Sequence, residues 1–309
     1  MRAVRAVEGS ATVVMTDEPG GDWPVLEVGS ASICGSDLML VGWNLPITLG
    51  HEVAGMLDGL AYCVEPTVRC GLCDQCLAGA TQRCRGSAPH GIIGVAFDGG
   101  LAERVAVPRE CLVPLPEGLP VRDACLVEPL AVSWHALRKA GAQPGQRALV
   151  VGAGSVGLLA VAAARAMGLE VDLEARHDAQ RAAGERLGAG TPAGQYDITI
   201  EAAGTDTALA RCVRATTRGG QIALVGMATG DRRVPSIPFV MNELTLIGCN
   251  CYDNATGEHE FASAAAVLAG NPDIAATVIT HRFPLDEAAE AFRVATDRAA
   301  GAIKVVLMP

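Results

Sequence analysis

The stretch "QRALVVGAGSVGLLAVAAARAMG", residues 146–168, constrains the fold more than any other part of the chain. It opens on a continuous apolar run, the pattern of a strand buried on both faces of a parallel sheet. It closes on a small-residue segment of helical length that stops at Gly168. Between them Gly152, Gly154 and Gly157 stand as G-x-G-x-x-G. In that context Gly152 permits a tight turn, Gly154 lets a pyrophosphate approach the backbone, and Gly157 lets helix and strand pack closely. The helix start at Ser155 and Val156 then favours phosphate charge. Glycine-rich turns are common, so the weight lies in the strand before and the helix after.

The same alternation continues downstream. "LEVDLEA", "YDITIEAAG", "QIALVGM" and "ELTLIGC" read as strands, and "DAQRAAGERLG", "TDTALARCVRATTRGG" and "HEFASAAAVLAG" as helices. Strands alternating with helices imply an α/β, doubly wound parallel sheet. Upstream, "ATVVM", "VLEVGSASI" and "LAERVAVP" read as short antiparallel strands, and "EPLAVSWHALRKAGA" as a helix. A chain of 309 residues is long enough for two cores. Its net charge of −10 and lack of a basic stripe exclude a nucleic-acid footprint. The N-terminus lacks a secretory h-region, and the longest apolar run is broken by Arg165. A cytoplasmic protein without membrane contact is expected.

Cofactor choice is read at the end of the second strand. An NAD site places an acid about 20 residues on, bonded to the ribose 2′-hydroxyl. Here Arg176 comes nineteen residues after Gly157, with His177 beside it and Arg181 further on. Cations there suit a 2′-phosphate, so NADP is favoured over NAD. The competing reading is that Glu174 or Asp178 serves the ribose and the arginines are surface charge.

Eleven cysteines, an odd number, argue against a disulfide framework. Cys70, Cys73, Cys76 and Cys84 have metal-ligand spacing, and four thiolates close a tetrahedral zinc shell with no open position. That points to structure rather than chemistry. Cys63, Cys111, Cys125, Cys212, Cys249 and Cys251 read as small hydrophobes. A catalytic zinc needs a vacancy. Candidates for it are scattered: Cys34 in "ICGSD", His51 and Glu52 in "GHE", and Glu128 in "VEPL". Each alone is a weak signal.

Together with "EPTVRCGLCDQCLAGATQRC", "DGGLAERVAVP", "ITHRFPLDEAAEAF" and "GAIKVVL", these motifs run in order over nearly the whole chain. The sequence resembles the zinc-dependent medium-chain dehydrogenase/reductases, in particular the sorbitol and threonine dehydrogenase branch. The resemblance implies a GroES-like β-barrel catalytic domain (1–129 and 273–309), a Rossmann domain (130–272), and an active site in the cleft between them. It implies catalytic-zinc ligands at Cys34 and His51, with Glu52 or Glu128 contributing directly or through water, and a structural zinc on the four-cysteine lobe. Asp37 then orients His51, and Ser36 passes the substrate proton. The implied activity is hydride transfer between an alcohol, polyol or ketone and NAD(P), with zinc as Lewis acid, in a homodimer or homotetramer.

The chain departs from that pattern in three places. Met39 stands where the family often continues its proton relay with a histidine. The barrel segment after "GHEVAGMLDG" is short, and so is the stretch from "LGAG" to "YDITIEAAG", so the Rossmann sheet is expected to lack a strand or to replace it. Trp43 and the segment near "NCYDNATG" are candidate substrate-pocket walls, whereas His90, His135 and His281 read as surface or helix-end residues. Two other functions stay open: a zinc-poor NADPH-dependent reductase and a non-enzymatic nucleotide-binding protein.

Overall fold

A computed structural model describes residues 1–86, 91–228, 230–255 and 257–309, with the side chain of residue 298 left undescribed. His90 lies outside the described residues. The chain divides into two compact units, Met1–Glu128 with Asp253–Pro309, and Pro129–Tyr252. The sequence reading put 253–272 in the dinucleotide-binding unit. In the structure the helix Glu260–Gly270 packs on the turn Ala124–Leu126 of the first unit.

The first unit is built on a seven-stranded sheet. Its order is Ile279–Pro284, Lys304–Met308, Val25–Ser32, Glu52–Leu57, Leu60–Val64 and Leu112–Pro114, with Arg104–Ala106 also paired to Val25–Ser32. The shortened barrel segment is explained by its turn. Glu52–Leu57 folds back on Leu60–Val64 through the two-residue Asp58–Gly59 turn, a strong hairpin signal. Val4, Leu26, Val53, Leu101, Val105 and Leu307 belong to the buried cluster that this sheet encloses.

The second unit is a five-stranded parallel sheet. Its order is Glu170–Glu174, Arg147–Val151, Tyr196–Glu201, Thr216–Leu224 and Thr245–Gly248. Ala148–Val151 are buried, as are Ile198–Glu201, which is why both segments read as unbroken apolar runs. Beyond Glu170–Glu174, where a further strand would extend the sheet, a single parallel bridge joins Asp172 to Gly190. The short stretch before "YDITIEAAG" has room for no more. One expectation fails locally: "TTRGG" is not helical. The helix Asp206–Ala215 ends at Ala215, and Thr216–Gly220 form the start of the strand Thr216–Leu224. Two β-branched threonines followed by two glycines disfavour another helical turn.

Candidate active site and dinucleotide turn

His51 is placed by the strand Glu52–Leu57 and by Gly50, whose φ is +98°. A Cβ at Gly50 would lie 2.5 Å from Leu101 Cγ, so the turn that presents His51 accepts only glycine. Cys34 is the N-cap residue of the helix Gly35–Leu40. Asp37 Oδ2 accepts the Cys34 N–H at 2.8 Å, which ties the cap to the helix. The other Asp37 oxygen lies 3.5 Å from His51 Nδ1, and Ser36 Oγ lies 3.3 Å from His51 Nε2. One short helix thus presents a thiol, a hydroxyl and a carboxylate around the same imidazole.

One ligand atom from each of Cys34, His51 and Glu52 lies within 4.8 Å of the others. Glu128, the first acid of the helix Val127–Lys139, is outside that trio but feels both His51 and Glu52. Asp37, His51, Glu52 and Glu128 are buried, Cys34 and Ser36 half-buried, and the site is rich in negative charge. Burial pushes the Glu128 carboxyl up to about 7, with Glu52 and Asp37 adding to the rise and His51 and Lys304 opposing it. Burial works against the His51 imidazolium, but the Asp37 and Cys34 charges outweigh it and hold its pKa well above the usual value. Buried His51 Nδ1 and Asp37 Oδ1 have no hydrogen-bond partner. A thiol, an imidazole and carboxylates with this surplus of negative charge fit a zinc ion.

Glu52 carries a partner that no motif announced. Lys304 Nζ donates to both Glu52 oxygens at 2.8 Å and to the Ile33 carbonyl at 3.2 Å, and Ser32 Oγ also donates to Glu52. Lys304 is buried at the start of the strand Lys304–Met308. The available signal was a lysine opening an apolar strand in "IKVVLM".

The four thiols of the lobe also converge within 4.8 Å. Backbone N–H groups point at the sulfurs: Cys73 to Cys70 and Cys70 to Cys84 at 3.4 Å, Arg85 to Cys73 at 3.4 Å, and Gly86 to Cys84 at 3.3 Å. These donors pull Cys73 down to about 6 and lower Cys84. Cys76 is pushed up to about 12, first by burial and then by its cysteine neighbours. A sulfur cluster pre-set with amide donors to stabilise thiolate charge fits zinc.

In the second unit Gly152 follows the strand Arg147–Val151, and the helix Ser155–Ala166 begins directly after Gly154. A Cβ at Gly157 would lie 1.8 Å from the Gly152 carbonyl oxygen, so helix and turn are in contact. A Cβ at Gly154 would meet nothing within 4 Å, which leaves that side open to a phosphate. Ser155 and Val156 form the first turn of the helix. Arg176 and His177 are exposed just past the strand Glu170–Glu174, and Arg181 is paired with Asp178 at 2.5 Å. Glu174 is paired with Arg211, whose Nε donates to Oε2 at 2.6 Å.

Trp43 is exposed, and so is Met39. His281 is half-buried, and His135 is buried in the helix Val127–Lys139 rather than on the surface. Cys63, Cys111, Cys125 and Cys212 are buried, whereas Cys249 and Cys251 are half-buried. A cavity of about 860 Å³ in the first unit is lined by residues such as Arg5, Trp23 and Phe97, and by none of the candidate site residues.

A parallel nucleotide-binding sheet and a barrel-type unit bearing a thiol–imidazole–carboxylate trio define a two-unit dehydrogenase. Residues 20–117 match the alcohol dehydrogenase GroES-like domain, and 121–308 match the glucose dehydrogenase C-terminus. The chain belongs to the zinc-type medium-chain dehydrogenase/reductase family, the alcohol dehydrogenases. It is 32% identical to L-galactonate-5-dehydrogenase of Escherichia coli K12, over 89% of this chain and 88% of the relative. It is 27% identical to sorbitol dehydrogenase of Bacillus subtilis, over 93% and 90%. The crystal structure of galactitol-1-phosphate dehydrogenase from Escherichia coli superposes with a TM-score of 0.90 at 27% identity, covering 100% of both chains. A Sinorhizobium meliloti 1021 structure with NADP bound superposes with a TM-score of 0.86 at 28% identity, covering 100% of this chain and 99% of that one. No helix among the described residues is long and apolar enough to cross a membrane.

Proposed function

We propose that the chain is a zinc-dependent, NADP-linked dehydrogenase of a polyol or sugar acid, running equally as the ketone reductase. The observation that carries this reading is the convergence of Cys34, His51 and Glu52 around a buried, negatively charged point, flanked by Ser36 and Asp37. Cys34 and His51 hold the ion, with Glu52 as the nearest carboxylate and Glu128 as a buried acid whose charge the ion offsets. When bound, zinc supplies Lewis acidity to an alcohol or carbonyl oxygen. Asp37 faces His51 Nδ1, where its charge orients the ring, and Ser36 stands where a hydroxyl can hand on the substrate proton. The four-cysteine lobe holds a second, structural zinc.

Support for the substrate class comes from the relatives, whose names place oxidation on sugar acids and polyols. Support for NADP comes from Arg176 and His177 at the strand end and from the NADP-bound neighbour. A homodimer or homotetramer is supported by the outermost strand Thr245–Gly248 and by Ile237, Val240 and Met241, all exposed in the same unit.

The test is a panel of polyols, sugar acids and their keto forms, followed by NADPH and NADH absorbance, beside metal analysis. Two zinc ions per chain and cofactor turnover with a CH–OH substrate are expected. One zinc per chain that Cys70→Ser removes and Cys34→Ser leaves would point to a zinc-poor reductase. Absence of nucleotide binding would sink the enzyme reading altogether.

A further inference from the structure

The acid at the end of the second strand is present but engaged elsewhere. Glu174 is the last residue of the strand Glu170–Glu174 and stands in register with Val151, the residue before the glycine turn. The Gly152 N–H donates to the Glu174 carbonyl at 3.1 Å. Glu174 therefore sits at the first strand–helix turn, where a Rossmann site for NAD keeps its ribose-binding acid. Its carboxylate, however, receives the Arg211 Nε–H at 2.6 Å.

Arg211 comes from a different crossover, the helix Asp206–Ala215 that follows the third strand of the unit in sequence. That helix is anchored by Leu209, Cys212 and Val213, all buried, so it does not need the arginine to stay in place. The pair is part-exposed, 29% for Arg211 and 42% for Glu174, and a pair so wet adds little stability. Among the cations nearby, Arg181 is already paired with Asp178. Arg176 is exposed and makes no hydrogen bond or ion pair among the described residues.

We propose that Arg211 is a positioning residue for cofactor choice: it holds and neutralises the Glu174 carboxylate, which leaves the ribose 2′ position to Arg176. The inference rests on the NADP reading above and gives it a second determinant. Without Arg211, a free carboxylate at the strand end repels a 2′-phosphate and can accept from a 2′-hydroxyl.

NADPH and NADH are titrated separately into the wild-type protein and into Arg211→Ala, Arg211→Lys, Glu174→Gln and the Arg211→Ala/Glu174→Gln double variant. Arg211→Ala weakens NADPH by about tenfold while NADH is unchanged or tighter. Arg211→Lys keeps most of the wild-type ratio, and the double variant recovers it, because Arg211 acts only through Glu174. Equal weakening of both nucleotides by Arg211→Ala overturns the proposal, as does the same shift in the Glu174→Gln background. A wild-type preference for NADH overturns the Arg176 reading instead. The direction of the Arg211→Ala shift from wild type then still decides the role of the pair.

Discussion

At the scale of single residues, the buried polar groups carry the clearest consequences. Lys304 and Glu52 are both fully buried and hold one another in a two-oxygen contact. Replacing Lys304 with Met leaves a carboxylate buried beside Cys34 with its main partner gone. Such a change costs about 3–5 kcal/mol, and urea denaturation of Lys304→Met should show an unfolding free energy lower by that amount. Asp37→Asn keeps the shape of the helix cap but removes the charge facing His51 Nδ1. A loss of about 10–100-fold in zinc affinity or turnover is expected, read by competition with a chelator. Cys34, His51 and Glu52 were each weak as isolated letters, and only the family pattern joined them. Lys304 was missed because its role depends on a partner 252 positions away in the chain.

At the scale of elements, the glycine turn was the most legible, since its chemistry is local. The 1.8 Å approach of a Gly157 Cβ to the Gly152 carbonyl means that Gly157→Ala must push helix from turn. A cost of about 1–3 kcal/mol follows, with weakened binding of NADPH and NADH alike, measurable by thermal melting and nucleotide titration. The cysteine lobe was equally legible, because its four ligands lie within fifteen residues. Cys70→Ser should release one zinc per chain and lower Tm by more than about 4 °C, whereas Cys34→Ser should leave the lobe's zinc in place. The stretch "TTRGG" was misread because it abuts a true helix, and the boundary is set by pairing of Thr216–Leu224 with its neighbours. The missing strand was expected from length, but its replacement by one Asp172–Gly190 bridge is a matter of packing.

At the scale of the whole molecule, the exposed side chains of Ile237, Val240 and Met241 bear on assembly. Val240→Lys with Met241→Glu should lower the mass in solution, by light scattering, to that of a single chain. An unchanged mass would remove this face from the interface. Composition and charge pattern were enough to set the broad class, since they count residues without regard to place. The placing of 253–272 with the first unit was not readable, because a helix made mostly of alanine and apolar residues suits either core. What the sequence by itself determined was everything carried by short spacing: the nucleotide turn, the cysteine lobe, the strand–helix alternation, and through motif order the family. What only the tertiary structure decided was which charges meet. Lys304 on Glu52 and Arg211 on Glu174 are contacts between segments far apart in the chain. Electrostatic partners depend on distance in space, and no local pattern encodes that distance.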